Sequence, residues 1–189
     1  MKTIILDLNG TIVPNVEFKK FFENNFGKNF KVPYDEIKKM LIGNLSVNDF
    51  WYQIGENYKI EIPDKVKIDF DNLAYEEMIL TKDRIDFLKS ISEKYNLILL
   101  SNTIPNVELF IKKHDFEQYF DVVILSHLVG CKKPDKEIFE LVIKKAKYQD
   151  IIFFDDMEIN CIEAEKVGIK SVLVNDYKNL EFLFAKYNL

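Results

Sequence analysis

Lys2-Thr3-Ile4-Ile5-Leu6-Asp7-Leu8-Asn9-Gly10-Thr11 is a short, β-branched apolar run that stops at an acidic residue and a glycine. That composition predicts a buried strand followed by a tight turn. Runs of the same kind recur at residues 97–101, 122–126, 151–154 and 171–174. Amphipathic helical patterns lie between them, at residues 83–95, 105–113, 136–145, 158–167 and 179–187. The second opens with Pro105, a residue suited to a first helical position. Strands that alternate with helices predict an α/β fold: a doubly wound, Rossmann-like parallel sheet covered on both faces. Ligands of such sheets sit beyond the carboxyl ends of the strands. Asp7, Ser101, Ser126 and Asp155 are the polar residues at those ends.

Residues 15–80 break the rhythm. They hold aromatic-rich helical stretches around Phe18 to Phe26, Ile37 to Leu41 and Phe50 to Tyr58, and no clear strand. Ser46 and Asn48 are candidate caps for the third stretch. This segment reads as an all-helical insert, with its aromatics, Trp51 among them, as packing residues. The expected organisation is an α/β core domain of residues 1–14 and 81–189, and a small helical domain of residues 15–80.

The chain has 189 residues, of which 48% are hydrophobic, enough for a sizeable core. Its formal charge of -5 argues against a nucleic-acid partner. Two distant cysteines, Cys131 and Cys161, imply no disulfide framework. No Cys/His cluster suggests zinc. No run of about 18 apolar residues predicts a membrane span. The expectation is a cytoplasmic protein without a membrane or nucleic-acid partner; the oligomeric state stays open.

Four groups carry chemistry. Asp7, at a strand end, can attack phosphorus as a carboxylate nucleophile, although an aspartate can also merely cap a turn. Gly10 allows close backbone approach. Ser101-Asn102-Thr103 can offer a hydroxyl and an N–H to phosphoryl oxygens, or can simply cap the next helix. Lys133, beside Pro134, can hold a point charge against phosphate, among 26 basic residues most of which belong to the surface. Asp155 and Asp156 end a buried strand, with Asn160 close behind. Adjacent buried carboxylates repel and are costly without a cation, and magnesium relieves this with one or two carboxylates plus phosphate and water.

In this order, the four groups resemble the haloacid dehalogenase-like superfamily. Its pattern is DxDx[TV] on the first strand, Ser/Thr on the second, a lysine often before proline, and a late acidic pair. The match covers residues 2–13 and about 83–175. The resemblance implies a phosphatase or phosphoryl-transfer enzyme that uses Mg2+, acts on a small phosphorylated substrate and carries a helical cap in the insert. Asp7 is then the nucleophile and a magnesium ligand. The main-chain carbonyl of Asn9 and the carboxylate of Asp156 complete the protein ligands, and Asp155 and Asn160 support them within the same acidic set. Thr11, Ser101 and Asn102 contact phosphate, and Lys133 steadies the nucleophile.

One position departs from the pattern. The family's second aspartate, the general acid, is Asn9 here, and an amide cannot shuttle that proton. The expected result is slow work on alkyl phosphates and a smaller loss on acyl, aryl or anhydride phosphates, because general acid–base catalysis is worth about 10²–10⁴-fold. Asn9 is natural with reduced catalysis, or an introduced replacement, or the mark of a non-enzymatic phosphate binder; the sequence leaves all three open. The superfamily's dehalogenases use a cap-side arginine, and Arg84 is the only arginine. Its phosphonate hydrolases use a cap lysine, for which Lys19, Lys20, Lys38 and Lys39 are the candidates. No role falls to His114, His127 or Cys131.

Overall fold

A computed structural model describes all of residues 1–189. The central strand, β1 (Thr3–Leu6), is fully buried along its length. β2 (Asn96–Ser101) and β4 (Ile151–Asp155) flank it, β3 (Val122–Leu125) lies outside β2, and β5 (Lys170–Leu173) lies outside β4. All four pairings are parallel, in the order β3-β2-β1-β4-β5. Register places Ile5 opposite both Ile98 and Phe153. The chain leaves β1, winds outward through β2 and β3, then crosses back to β4. The strand order therefore reverses between β1 and β4, where open α/β sheets bind ligands.

Side chains of a strand alternate between faces, so buried strands build two cores. Ile4, Leu6, Leu97, Leu99, Ile152 and Phe154 point into a cluster of 38 buried residues. Ile5, Ile98, Leu100, Ile151 and Phe153 point into a second cluster of 11. The first face is covered by α5 (Lys82–Ser92), α6 (Pro105–Lys113) and α10 (Leu180–Lys186), the second by α8 (Lys136–Lys145) and α9 (Glu158–Lys166). This is the expected doubly wound sheet. A one-turn helix, α7 (Ser126–Val129), was not anticipated. It begins at Ser126, directly beyond the end of β3, and the Ser126 hydroxyl accepts from Thr103 N at 2.9 Å.

Residues 15–80 form four helices: α1 (Phe18–Phe26), α2 (Tyr34–Leu41), α3 (Val47–Tyr58) and α4 (Asp64–Glu77). The absence of a strand there is as expected; α4 is additional. Its buried Val66, Phe70, Leu73 and Ala74 sit at helical spacing, but charged neighbours obscure the pattern. Of the two candidate caps only Ser46 acts, its hydroxyl accepting from Asp49 N at 3.1 Å; Asn48 lies within the helix. Phe70 packs on Phe18, Phe21, Phe22, Phe50 and Trp51, with centroids 5.2 to 6.3 Å away. Trp51 is buried, as expected of a packing residue. Asn106 of α6 donates to Asp71 Oδ1 of α4 at 2.6 Å, tying these helices to the sheet.

Candidate active site

β1 delivers Asp7 to the middle of the sheet's carboxyl edge, where Asp7 N still donates to Phe154 O of β4 at 3.0 Å. The next residues curl tightly: Gly10 N donates to Val13 O at 2.7 Å and Val13 N to Leu8 O at 3.1 Å. Gly10 has φ +73°, and a Cβ on it would overlap Asp156 Oδ2 and come within 2.6 Å of Asn15 Nδ2. Glycine takes this φ without strain and leaves Asp156 and Asn15 in place.

Lys133 arrives from the loop after α7. Gly130, with φ +76°, closes that helix and turns the chain. Asn102, just past β2, then fixes the loop: its Nδ2 donates to Lys133 O and its Oδ1 accepts from Lys133 N, both at 2.8 Å. Asn102 therefore holds the lysine rather than capping a helix. The N-cap of α6 is Ile104, which makes no side-chain cap.

Lys133 Nζ lies 2.7 Å from Asp7 Oδ1 and 2.6 Å from Asp155 Oδ2, buried with both. The other Asp155 oxygen accepts from Met157 N and Asn160 Nδ2, each at 2.8 Å. Both Asp155 oxygens are thus engaged within the protein. Asp156 takes one bond, from Asn15 Nδ2 at 3.0 Å. Oxygens of Asp7, Asp155 and Asp156 lie within 4.8 Å of one another.

Burial pushes the Asp7 carboxyl up to about 7; Lys133 opposes this, and Asp155 and Asp156 add to it. Burial also raises Asp156, with Asp155 adding repulsion against the Asn15 hydrogen bond. For Lys133, burial works against the charge, but Asp155 and Asp7 outweigh it and its pKa ends above the ordinary value. Three carboxylates around one ammonium carry two excess negative charges when all are ionised. A divalent cation is the complement in charge and in ligand type.

A cleft of about 290 Å³ opens over these groups, lined by Asp7, Asn9, Asn15, Asn102, Lys133, Asp156, Met157 and Asn160. Thr11 and Ser101 are not among its lining residues. Both are fully buried, and their hydroxyls, like Asn9 Oδ1, have no hydrogen-bond partner. Asn15 was missed in the sequence because it sits in an irregular loop with no periodic or motif signal. Arg84 is buried elsewhere: it donates to Thr11 O at 3.1 Å and Tyr177 O at 2.6 Å and pairs with Glu181 at 3.0 Å. Its guanidinium is committed to these partners and does not line the cleft. Lys19, Lys20, Lys38 and Lys39 are exposed and do not line it either. His127, given no role in the sequence, bridges Glu108 Oε2 at 2.8 Å and Thr103 Oγ1 at 3.1 Å.

The fold and the acidic switch-point cleft define a doubly wound α/β protein with a cation-binding type of site. The chain belongs to the haloacid dehalogenase-like hydrolase family, which it matches over residues 4–174. It is 25% identical to a phosphorylated carbohydrates phosphatase of Thermotoga maritima, over 91% of this chain and 84% of that one. It is 28% identical to a D-ribitol-5-phosphate phosphatase of Bacteroides thetaiotaomicron, over 68% of this chain and 66% of that one. A HAD family enzyme of the same bacterium, crystallised as a magnesium complex, superimposes with a TM-score of 0.82 at 26% identity, covering 97% of this chain and 98% of that one. Its wild-type complex with magnesium and inorganic phosphate gives 0.74 at 27% identity, over 92% and 93%. No helix of this chain is long and apolar enough to cross a membrane.

Proposed function

We propose that this chain is a magnesium-dependent phosphohydrolase acting on a small phosphorylated molecule through an aspartyl-phosphate on Asp7. The observation that carries the reading is the convergence of Asp7, Asp155 and Asp156 within 4.8 Å, with Lys133 bonded to two of them. The phosphatase relatives and the magnesium-bound structural neighbour support it. Asp7, the main-chain carbonyl of Asn9 and Asp156 are the residues to hold magnesium, which supplies charge neutralisation for the transferring phosphoryl group. Asp155, with both oxygens taken, anchors Lys133 instead. Asp7 attacks phosphorus, Lys133 holds it in line, and Asn102 keeps Lys133 in place. Thr11 and Ser101, buried and outside the cleft lining, are given no phosphoryl contact in this reading. Residues 15–80 act as the cap that excludes water and selects the substrate, over a core of residues 1–14 and 81–189.

Phosphate release from a panel that includes sugar and polyol phosphates tests the reading. Turnover requires magnesium, stops with chelator, and falls below detection in Asp7→Asn. Turnover that survives Asp7→Asn overturns it. Asn9 favours a second reading, a protein that binds phosphate esters without hydrolysing them. Calorimetric binding without phosphate release, in the native chain and in Asn9→Asp, selects that reading.

A further inference from the structure

Four of the residues lining the cleft are side-chain amides and one is a thioether. The remaining three are Asp7, Lys133 and Asp156, each with an assigned task in phosphoryl transfer. Three of the amides are committed within the protein. Asn102 is bonded at both ends to Lys133, Asn15 donates to Asp156, and Asn160 donates to Asp155. Asn9 keeps a buried, unpartnered Oδ1. The cleft thus has a nucleophile and charge stabilisation, but no spare side chain that can give a proton to a leaving oxygen or take one from water.

We infer that Asp7 accepts its phosphoryl group from donors whose leaving group departs as a stable anion, acyl phosphates foremost, and that the resulting aspartyl-phosphate is long-lived. This rests on the nucleophile assignment above. With acetyl phosphate, an Asp7 carboxylate oxygen bonds to phosphorus. The bond from phosphorus to the acyl oxygen breaks, and its electron pair leaves on acetate. No proton moves. An alkyl ester must instead expel an alkoxide, which needs a proton at once; lacking the donor costs about 10²–10⁴-fold in rate. The second half-reaction needs help that the first does not. Water must lose a proton as its oxygen displaces the Asp7 carboxylate from phosphorus, and no base free of another task lines the cleft. Phosphorylation therefore outruns hydrolysis, and the chain rests in a covalently phosphorylated form.

The test is intact-protein mass spectrometry of the native chain with magnesium and, separately, acetyl phosphate, an aryl phosphate and glycerol phosphate. The expected result is a mass gain of one phosphoryl group from acetyl phosphate, slower gain from the aryl ester and slowest from glycerol phosphate. The adduct is absent in Asp7→Asn and is discharged by hydroxylamine, as an acyl phosphate must be. Asn9→Asp is expected to abolish the accumulation and to raise glycerol phosphate hydrolysis by about 10²-fold or more. Equal rates from all three donors with no adduct overturn the inference while leaving the phosphohydrolase reading intact. No adduct and no phosphate release from any donor, in the native chain or in Asn9→Asp, overturn both.

Discussion

Asp7 stands at the charge balance of the site. Its folded pKa of about 7 lies well above the ordinary 3.8, because burial and the neighbouring carboxylates disfavour its charge. A carboxyl with a raised folded pKa favours folding fully only below its ordinary value, and that stability is lost as pH rises through the folded value. Metal-free protein should therefore lose stability between pH 3.8 and about 7 on account of this group. A divalent cation reverses the penalty, so the rise in melting temperature on adding magnesium should grow across that interval. A magnesium increment that is flat with pH, measured by thermal melts in chelated and loaded samples, would contradict this. The residues that announce the site in the sequence are those whose chemistry is anomalous for their setting, as with two adjacent acids ending the apolar run Ile151 to Phe154. Asn15 and the Asn102 clamp give no such signal. An asparagine in a loop looks alike whether it faces water or holds a lysine backbone.

At the level of elements, the edge of the sheet opposite the cleft carries its own charge cluster. Asp150, just before β4, takes a bond from Lys2 beside β1 at 2.7 Å and from Lys170 of β5 at 2.9 Å. The Lys2 hydrogen bond, then that of Lys170, holds its carboxyl down at about 2. A depressed carboxylate contributes stability above its ordinary pKa and loses it as pH falls through the folded value. Asp150→Asn should therefore destabilise the chain at neutral pH, an effect that fades as pH falls through about 2. The difference should shrink in high salt because all three side chains remain in reach of solvent. Urea unfolding of both chains across pH decides it, and a difference independent of pH rules it out. Elements read best where one physical rule dominates. The buried strands and the helices Pro105–Lys113 and Lys136–Lys145 match their apolar runs and periodicities. α4 escaped notice because its four buried positions are interleaved with Asp64, Lys65, Lys67, Asp69 and Asp71.

For the whole molecule, the important fact is that one cluster of 38 buried residues runs from the sheet face into the aromatic centre of α1–α4. A continuous core couples the stability of the parts it joins, so the chain should unfold in a single transition. Phe70, in contact with five other aromatic residues, is the place to test this. Phe70→Ala should cost about 3–5 kcal/mol. It should shift Trp51 fluorescence and far-ultraviolet dichroism to the same lower denaturant midpoint. Two separated midpoints would show that the helical insert melts apart from the sheet. The parallel topology was legible because alternating buried strands and helices admit few arrangements. How the insert packs against the sheet was not, since contacts such as Asn106 with Asp71 join residues whose pairing no local pattern encodes.

The lack of space beside Gly10 also constrains how this protein can diverge. Any heavier residue at position 10 must hold a strained positive φ and push the Asp156 carboxylate and the Asn15 amide from their places. A swap at position 10 is thus felt at the acidic site itself, although glycine carries no functional group of its own.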